Sequence, residues 1–481
     1  MRISRTDRPC KTVTCITRQR WSLWYERKRP MKNVFVVGAG PAGLFAAQKI
    51  ALAGHQVFLF NRDIKPGGLA EYGIYPLKDK MKFGLRKQFA KVLGLPNLHY
   101  LGHVKIGDGY DLTLDDLRAM NPSAIVFSCG AQGYNELGLP GENSAGVYSA
   151  KDFVYAYNQL PPYASMDFST GKRVAIIGMG NVAADIMRWL LRDNPHRKTE
   201  EVIVVARRGP YEAKFDKKEI GYVEEYIPRE EFLRELDRIR ETCAACNQDL
   251  SVEKLGDATF PFLTKTFPAE ERPRLTFRFL SSPKEILAGS DGRIEKLVVT
   301  ENDLALRANG STAARATDRT AVLDVDTLIF AIGDKHDPTV GLPMGPDGYA
   351  TKPAPDSSTE TIYEAWDPAI NEPLPGIYVV GWARRASTGL VGIARHDGEE
   401  GAKKVLEYLQ GQPEQDSLST EELLAELQAK GLTPVTNQDL EILGKIEEQQ
   451  ARERNLTSFK YSDDDTMLQA IQNERGVLAT R

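Results

Sequence analysis

The sequence predicts an α/β protein containing two Rossmann-like nucleotide-binding units. Two glycine fingerprints carry the prediction, GAGPAG at 38–43 and GMGNVA at 178–183, each set between an apolar strand pattern and a helical pattern. Length is the third observation. A chain of 481 residues is too long for one hydrophobic core, and the two fingerprints lie a domain's worth of chain apart.

The first 30 residues carry nine Lys/Arg against Asp7 and Glu26 and lack the apolar stretch of a secretory signal. They read as a disordered basic tail, or an upstream start, ahead of Met31; an organelle transit peptide is the alternative. Asn33–Val37 then reads as a strand, LFAAQKIALAG as a helix stopped by Gly54, and Val57–Phe60 as the next strand. In such a βαβ unit the first glycine (Gly38) makes the tight turn. The second (Gly40) lets the backbone approach a pyrophosphate, and the third (Gly43) lets helix and strand pack closely. The phosphates sit on the helix N-terminus, where free N–H groups and the dipole favour anions.

The pattern repeats at Arg173–Ile177, Gly178, Gly180 and Ala183, a helix through ADIMRWLL, and a strand Val202–Ala206. The two units differ at the end of the second strand, where a Rossmann unit commonly carries an acid for the ribose hydroxyls, about 20 residues on. The first unit has Asn61 there. The second has Arg207-Arg208, planar charged donors that suit a 2′-phosphate. NADPH is therefore expected at the second site. Two nucleotide units in one chain point to a flavoenzyme, with FAD held in the first and the pyridine nucleotide visiting the second. An Asn61→Glu substitution is expected to preserve or tighten FAD binding, since ribose hydroxyls accept either partner.

Further apolar runs end at glycines, as buried strands feeding crevice loops do: Ala124–Cys129 before Gly130, Thr327–Ile332 before Gly333, and Ile377–Val380 before Gly381. Leu275–Leu280 and Arg293–Thr300, separated by AGSDG, read as a hairpin; NGSTAARATDRT (309–320) reads as a polar loop. Glu421–Lys430 reads as an amphipathic helix, and the polar remainder as a surface wrap.

Composition narrows the function. No apolar run is long enough for a membrane helix, and a net charge of −4 argues against a nucleic-acid binder. Five cysteines in a chain this long fit a reducing, cytoplasmic setting. No redox pair follows Gly67-Gly68, and Cys129 stands alone. Cys243 and Cys246 (CAAC) fall in a charged helical stretch and read as buried helix positions, with a redox or metal role as the alternative. Cys10 and Cys15 are too few for an iron–sulfur cluster. No metal site is expected, and His55 and His396 read as surface residues.

Taken in order, the motifs resemble those of the NADPH:ferredoxin reductases of the adrenodoxin reductase type, over about 33–412. GAGPAGLFAA resembles the family's FAD loop, PGGLAEYGIYP its segment beside the flavin, and HVKIG its adenine-contact strand. GMGNVAADIMR resembles its NADP loop, ARRGPYEAKFDKKE its 2′-phosphate loop, and GWARRASTGLVG its loop over the isoalloxazine. The resemblance implies FAD contacts from Gly38, Gly40, Pro41, Ala42, Gly43, Asn61, Gly68, Leu69, Val104, Gly130, Trp382, Gly389, Leu390 and Val391. NADP contacts are implied for Gly178, Gly180, Asn181, Val182, Arg207, Arg208 and Glu219. By motif position alone, Asp185 and Lys78 are the catalytic candidates. The family usually has Glu at Asn61 and often His at Lys78.

The resemblance also implies a fold of three-layer ββα type. Residues 31–132 and 345–481 would form the FAD domain with a C-terminal extension, and 133–344 an inserted NADP domain. The implied activity is ferredoxin–NADP reduction, with an acidic ferredoxin-like iron–sulfur protein as partner and the chain a monomer or homodimer. A glutamate synthase small subunit-like electron-input role is the alternative, or reduction of a small organic acceptor. The stretch PLKDKMKFGLRKQFAK (76–91), with six Lys/Arg and only Asp79, is a candidate docking face, or else a solvated helix face.

Overall fold

In the computed structural model, residues 31–268, 271–346, 348–354, 362–385, 391–413 and 418–479 are described; the basic segment 1–30 lies outside them. Strand β1 (Asn33–Val37) pairs in parallel with β2 (Gln56–Asn61) and with β4 (Ala124–Phe127), and β2 pairs with β3 (Leu98–Gly102). Helices cover both faces of this sheet, so its strands are apolar throughout rather than alternating: Val34, Phe35, Val36, Val57, Phe58, Leu59 and Phe60 have no exposed surface. The chain returns to the sheet from far downstream. β16 (Glu372–Val379) adds in parallel beside β4, and β15 (Glu364–Asp367) closes the edge antiparallel to it.

A second sheet is built from the middle of the chain. Its order is β6 (Val147–Ser149), β13 (Thr327–Phe330), β7 (Arg173–Ile177), β8 (Glu201–Val205), β9 (Arg274–Arg278), all pairs parallel. Where the chain passes between the sheets, β5 (Gly133–Tyr134) and β14 (Asp334–Lys335) form a short antiparallel pair. Lys151 spans this crossing. Its ammonium donates to Ala131 O at 2.6 Å and Gly133 O at 2.7 Å and lies 3.5 Å from Asp334.

Three expectations need correction. Leu275–Leu280 is not half of a hairpin; it supplies β9, whose apolar side chains complete the buried parallel sheet. AGSDG instead turns β10 (Ser281–Ala288) into β11 (Ile294–Leu306). The polar stretch 309–320 is not a loop, since Thr312–Asp324 forms β12, antiparallel to β11 over its length. Ladder pairing overrides its weak strand propensity, and Arg319 reaches across to Glu301 at 3.1 Å and Asp303 at 3.2 Å. His55, expected on the surface, is buried at the foot of β2, while His396 is exposed as expected.

The C-terminal part does more than wrap. The expected amphipathic helix forms at Thr420–Ala429, and helices Asn437–Glu453 and Asp464–Ala479 follow. Their apolar side chains Leu443, Met467 and Ile471 bury Ile64 from the loop after β2. Lys460 reaches Glu71 at 2.6 Å, and Lys65 reaches Glu447 at 2.5 Å.

Candidate functional site

The first glycine loop runs from β1 into the helix Pro41–Leu52. Gly38 has φ +105°, and a side chain there would meet the backbone of Cys129 at 2.8 Å. At Gly43 a Cβ would stand 2.0 Å from Gly38 O and 2.3 Å from Ser128 Oγ. Gly40 is the opposite case, because a Cβ there would meet no described atom within 4 Å. Gly40 caps the helix without a side chain, and Pro41 occupies the first helical position, so first-turn N–H groups face this space. The open space at Gly40, between two tightly packed glycines, fits a pyrophosphate. Gly68 comes up beside it, its added Cβ 3.2 Å from Gly40 Cα.

Asn61 has a task the sequence does not disclose. Its Oδ1 accepts the Ala39 N–H at 3.0 Å, and its Nδ2 donates to Asp63 O at 2.9 Å, Lys65 O at 3.1 Å and the Tyr100 hydroxyl at 3.0 Å. Its own carbonyl accepts the Val104 N–H at 2.9 Å, which brings the adenine-contact candidate alongside. The amide thus ties the glycine loop to the turn after β2, and the expectation for Asn61→Glu reverses. A carboxylate could keep the Ala39 bond but would lose every donated one and face two backbone carbonyls. Asn61→Glu should lower stability by roughly 2 kcal/mol and weaken FAD binding; thermal melts and FAD titration of the apoprotein decide this.

The second loop repeats the design. Gly178 has φ +117°, and a Cβ there would lie 2.3 Å from Ala331 O, whereas Gly180 opens on empty space. Ala183, at the third position, is fully buried. Asn181 starts the helix Asn181–Arg188, and its amide exchanges hydrogen bonds with Asp216 at 3.0 and 2.8 Å, while Val182 is exposed. Beyond β8, the exposed Arg207 guanidinium has no hydrogen bond or ion pair among the described residues. Arg208 makes one long bond, 3.4 Å to Thr312 O. These are the charged donors at the end of the second strand.

Glu219 does not join the arginines. Its carboxylate is engaged by Lys78, 2.8 Å away, and Lys78 also lies 3.7 Å from Asp185. Lys78 comes from the first unit and both carboxylates from the second, so the two catalytic candidates and one NADP candidate meet between the sheets. Burial pushes the Asp185 carboxyl up to about 6; the Lys78 charge pulls it down and Glu219 pushes it up. Asp185 Oδ1 and Glu219 Oε2 are buried acceptors without a hydrogen-bond partner among the described residues. Tyr75 closes the same region, donating to Asp193 at 2.7 Å with the Arg188 guanidinium 4.3 Å from its ring centroid.

The segment after β16 crosses the N-terminus of the helix Pro41–Leu52. At Gly381 (φ +65°) a Cβ would be 2.5 Å from Ala42 Cβ, and Gly398 of the helix Val391–Gln410 would meet Ala42 O at 2.2 Å. Asp397 accepts the Gly381 N–H at 2.5 Å and pairs with the buried Arg384. His336, also buried, lies 2.7 Å through Nε2 from Trp382 O. Sequence reasoning missed these supports. Arg384 lies within the motif and Asp397 just beyond it, whereas His336 lies 46 residues before Trp382; no local pattern marks any of the three as a support. Val391 packs against the core between the first sheet and the helix Pro41–Leu52, Gly130 (φ +73°) follows β4, and Leu69 is partly buried beside Tyr72; Gly389 and Leu390 lie outside the described residues. Cys243 and Cys246 are buried free thiols. Cys246 donates to Leu304 O at 3.3 Å, and burial pushes the Cys243 thiol up to about 12, which suits packing rather than redox chemistry.

Residues 32–230 match the model of the family described as Pyridine nucleotide-disulphide oxidoreductase. The chain is similar to the NADPH-ferredoxin reductase FprA of Mycobacterium leprae, 30% identical over 446 residues, covering 85% of this chain and 92% of that protein. It is similar also to the mitochondrial NADPH:adrenodoxin oxidoreductase of Arabidopsis thaliana, 26% identical, with 92% and 96% covered. A solved structure of Mycobacterium tuberculosis FprA in complex with NADPH shares the fold, with a TM-score of 0.74 at 24% identity, covering 92% of this chain and 99% of that one. The paired glycine loops, the returning C-terminal strand and this similarity along the chain lead to one conclusion: the protein belongs to the NADPH-ferredoxin (adrenodoxin) reductase-type family of FAD flavoproteins.

Proposed function

We propose that this chain is an NADPH–ferredoxin oxidoreductase. It holds FAD on the Gly38–Gly43 loop, takes NADPH on the Gly178–Ala183 loop, and passes electrons to an acidic iron–sulfur protein. One observation carries the reading: two open phosphate cradles, Gly40 and Gly180, feed one junction where Lys78 meets Glu219 and Asp185. We further propose that the FAD and NADP domains divide at the β5–β14 crossing, close to the boundaries expected from the sequence.

Bound flavin supplies the ability to take two electrons together and release them singly. The residues of the chain do the rest. First-turn N–H groups of the two glycine-loop helices bind the pyrophosphates. Trp382, its backbone fixed through His336 and the Asp397–Arg384 pair, would stand over the flavin and help keep water away. Asp185 and Glu219 offer acceptors to the donors of the nicotinamide carboxamide, and Lys78 balances their charge. Such a site works by orientation and exclusion of water rather than by a nucleophile.

Arg207 and Arg208 select the 2′-phosphate. Arg207→Glu/Arg208→Glu should lower the NADPH-over-NADH ratio of kcat/KM by on the order of 100-fold, the loss of about two charge-assisted hydrogen bonds. Steady-state reduction of a ferredoxin with each nucleotide measures it. A wild type that prefers NADH, or that reduces no iron–sulfur protein, overturns the proposal.

A further inference from the structure

The helix Asp79–Leu93 was a candidate docking face by charge alone, and the structure sorts its charges. Three of the six cations in 76–91 are spent internally. Lys78 pairs with Glu219 at 2.8 Å, Lys82 is buried and donates to Asn158 at 2.7 Å, and Arg86 forks onto Glu71 at 2.6 and 2.7 Å. The other three, Lys80, Lys87 and Lys91, are exposed and have no hydrogen bond or ion pair among the described residues. Their spacing, i, i+7 and i+11, stacks them in one stripe along the helix. Phe83 stands in the same stripe, three residues from Lys80 and four from Lys87, and is 70% exposed; Leu77 and Met81 flank it at 58% and 55%.

Several cations on other surface helices are paired with acids on the same helix. Arg238 pairs with Glu235 and Arg240 with Asp237 on the helix Arg229–Ala244. On Val391–Gln410, Arg395 pairs with Glu399 and Lys403 with Glu400. The Asp79–Leu93 helix holds Asp79 alone against its lysines, in a chain whose net charge is −4. An uncompensated basic stripe around a protruding aromatic ring has the makeup of a protein-docking face: charge for steering, a ring for the anchor. Its position suits electron exit. The helix begins one residue after Lys78, at the junction of the two sites, and its inner face packs Phe89 against Phe45 of the FAD-loop helix, ring centroids 6.2 Å apart. A partner on the outer face sits about one helix width, roughly 10 Å, from that FAD-loop helix.

We propose that Lys80, Phe83, Lys87 and Lys91 form the docking surface for the acidic iron–sulfur acceptor, an assignment that rests on the function proposed above. The test compares wild type with Lys80→Glu/Lys87→Glu and with Phe83→Ala. It reads NADPH-driven reduction of a ferredoxin over a salt series, and reduction of menadione, a neutral small acceptor that needs no docking face. The double charge reversal should raise the ferredoxin KM about tenfold or more and flatten the salt dependence of kcat/KM. Phe83→Ala should raise KM with the salt slope kept, and menadione turnover should be unchanged in both. An unchanged ferredoxin KM and salt slope in an active enzyme overturns the docking surface alone, as does a lost self-association or a lost binding to anionic vesicles in place of the KM effect. A wild type that reduces menadione but no iron–sulfur protein overturns the functional reading and the surface with it.

Discussion

Gly43→Ala should produce a protein that takes up little FAD and is less stable even without it. The added Cβ would lie 2.0 Å from Gly38 O and 2.3 Å from Ser128 Oγ, far inside van der Waals contact. Neither neighbour can move cheaply. Gly38 is pinned by its N–H to Phe60 O at 2.8 Å, and Ser128 Oγ donates to Gly38 O at 2.7 Å and to Val37 O at 3.0 Å. The helix must shift off the sheet, at a cost of about 3 kcal/mol for overpacking a site with no room to relax. Gly40→Ala is the informative comparison. Its Cβ meets no described atom, so the apoprotein should melt at the wild-type temperature. It fills the space assigned to the pyrophosphate, so FAD affinity should fall all the same. Apoprotein melting and flavin content of the two variants, side by side, separate packing from cofactor approach; equal FAD affinity of Gly40→Ala and wild type would move the phosphate site elsewhere.

Lys78→Met should change the pH dependence of NADPH-driven turnover as well as its rate. Lys78 is the cation between Glu219 and Asp185, and its removal leaves two buried carboxylates facing each other, a loss of about 3 kcal/mol for breaking a buried pair. Asp185 responds by taking up a proton. Its carboxyl already titrates at about 6 against an ordinary value of 3.8, chiefly because it is buried. A raised carboxylate holds its proton in the folded state, so its contribution to stability is greatest at low pH. That contribution declines as pH rises from 3.8 to about 6 and is level above. Wild type should therefore show a kinetic inflection near pH 6. In Lys78→Met the inflection should move to higher pH, and in Asp185→Asn it should vanish. A profile identical in all three proteins would remove Asp185 from the nicotinamide side of the site.

Much of the candidate site was legible because its signals are local. A glycine that must adopt φ +105°, or lie against a neighbouring strand, is demanded by the turn it occupies, so Gly38, Gly43 and Gly178 announce themselves in the sequence. The same holds for the apolar runs of β1, β2, β7 and β8, which sit in sheets buried on both faces. Strand pairing was less legible. AGSDG marks a turn but does not say which flanking strand it joins, and β12 looks like a loop until β11 is beside it. Charge was the least legible. Lys78, Lys82 and Arg86 are indistinguishable in the sequence from Lys80, Lys87 and Lys91, yet the first three meet Glu219, Asn158 and Glu71 and the last three meet solvent.

By itself the sequence determined that there are two dinucleotide loops, that charge favours a 2′-phosphate at the second, and that the chain follows an NADPH:ferredoxin reductase pattern. Those properties reside in short contiguous segments whose backbone geometry dictates residue type. The tertiary structure alone decided what the distant partners do. It showed that Asn61, the ribose-ligand candidate, also ties Ala39 to the 63–65 turn. It placed His336 and Asp397 beneath the Trp382 loop, and it gathered Lys78, Asp185 and Glu219 from separate units into one junction. Hydrogen bonds and ion pairs act over a few ångströms in space and carry no trace of their separation along the chain, so only the folded molecule reveals which polar groups meet.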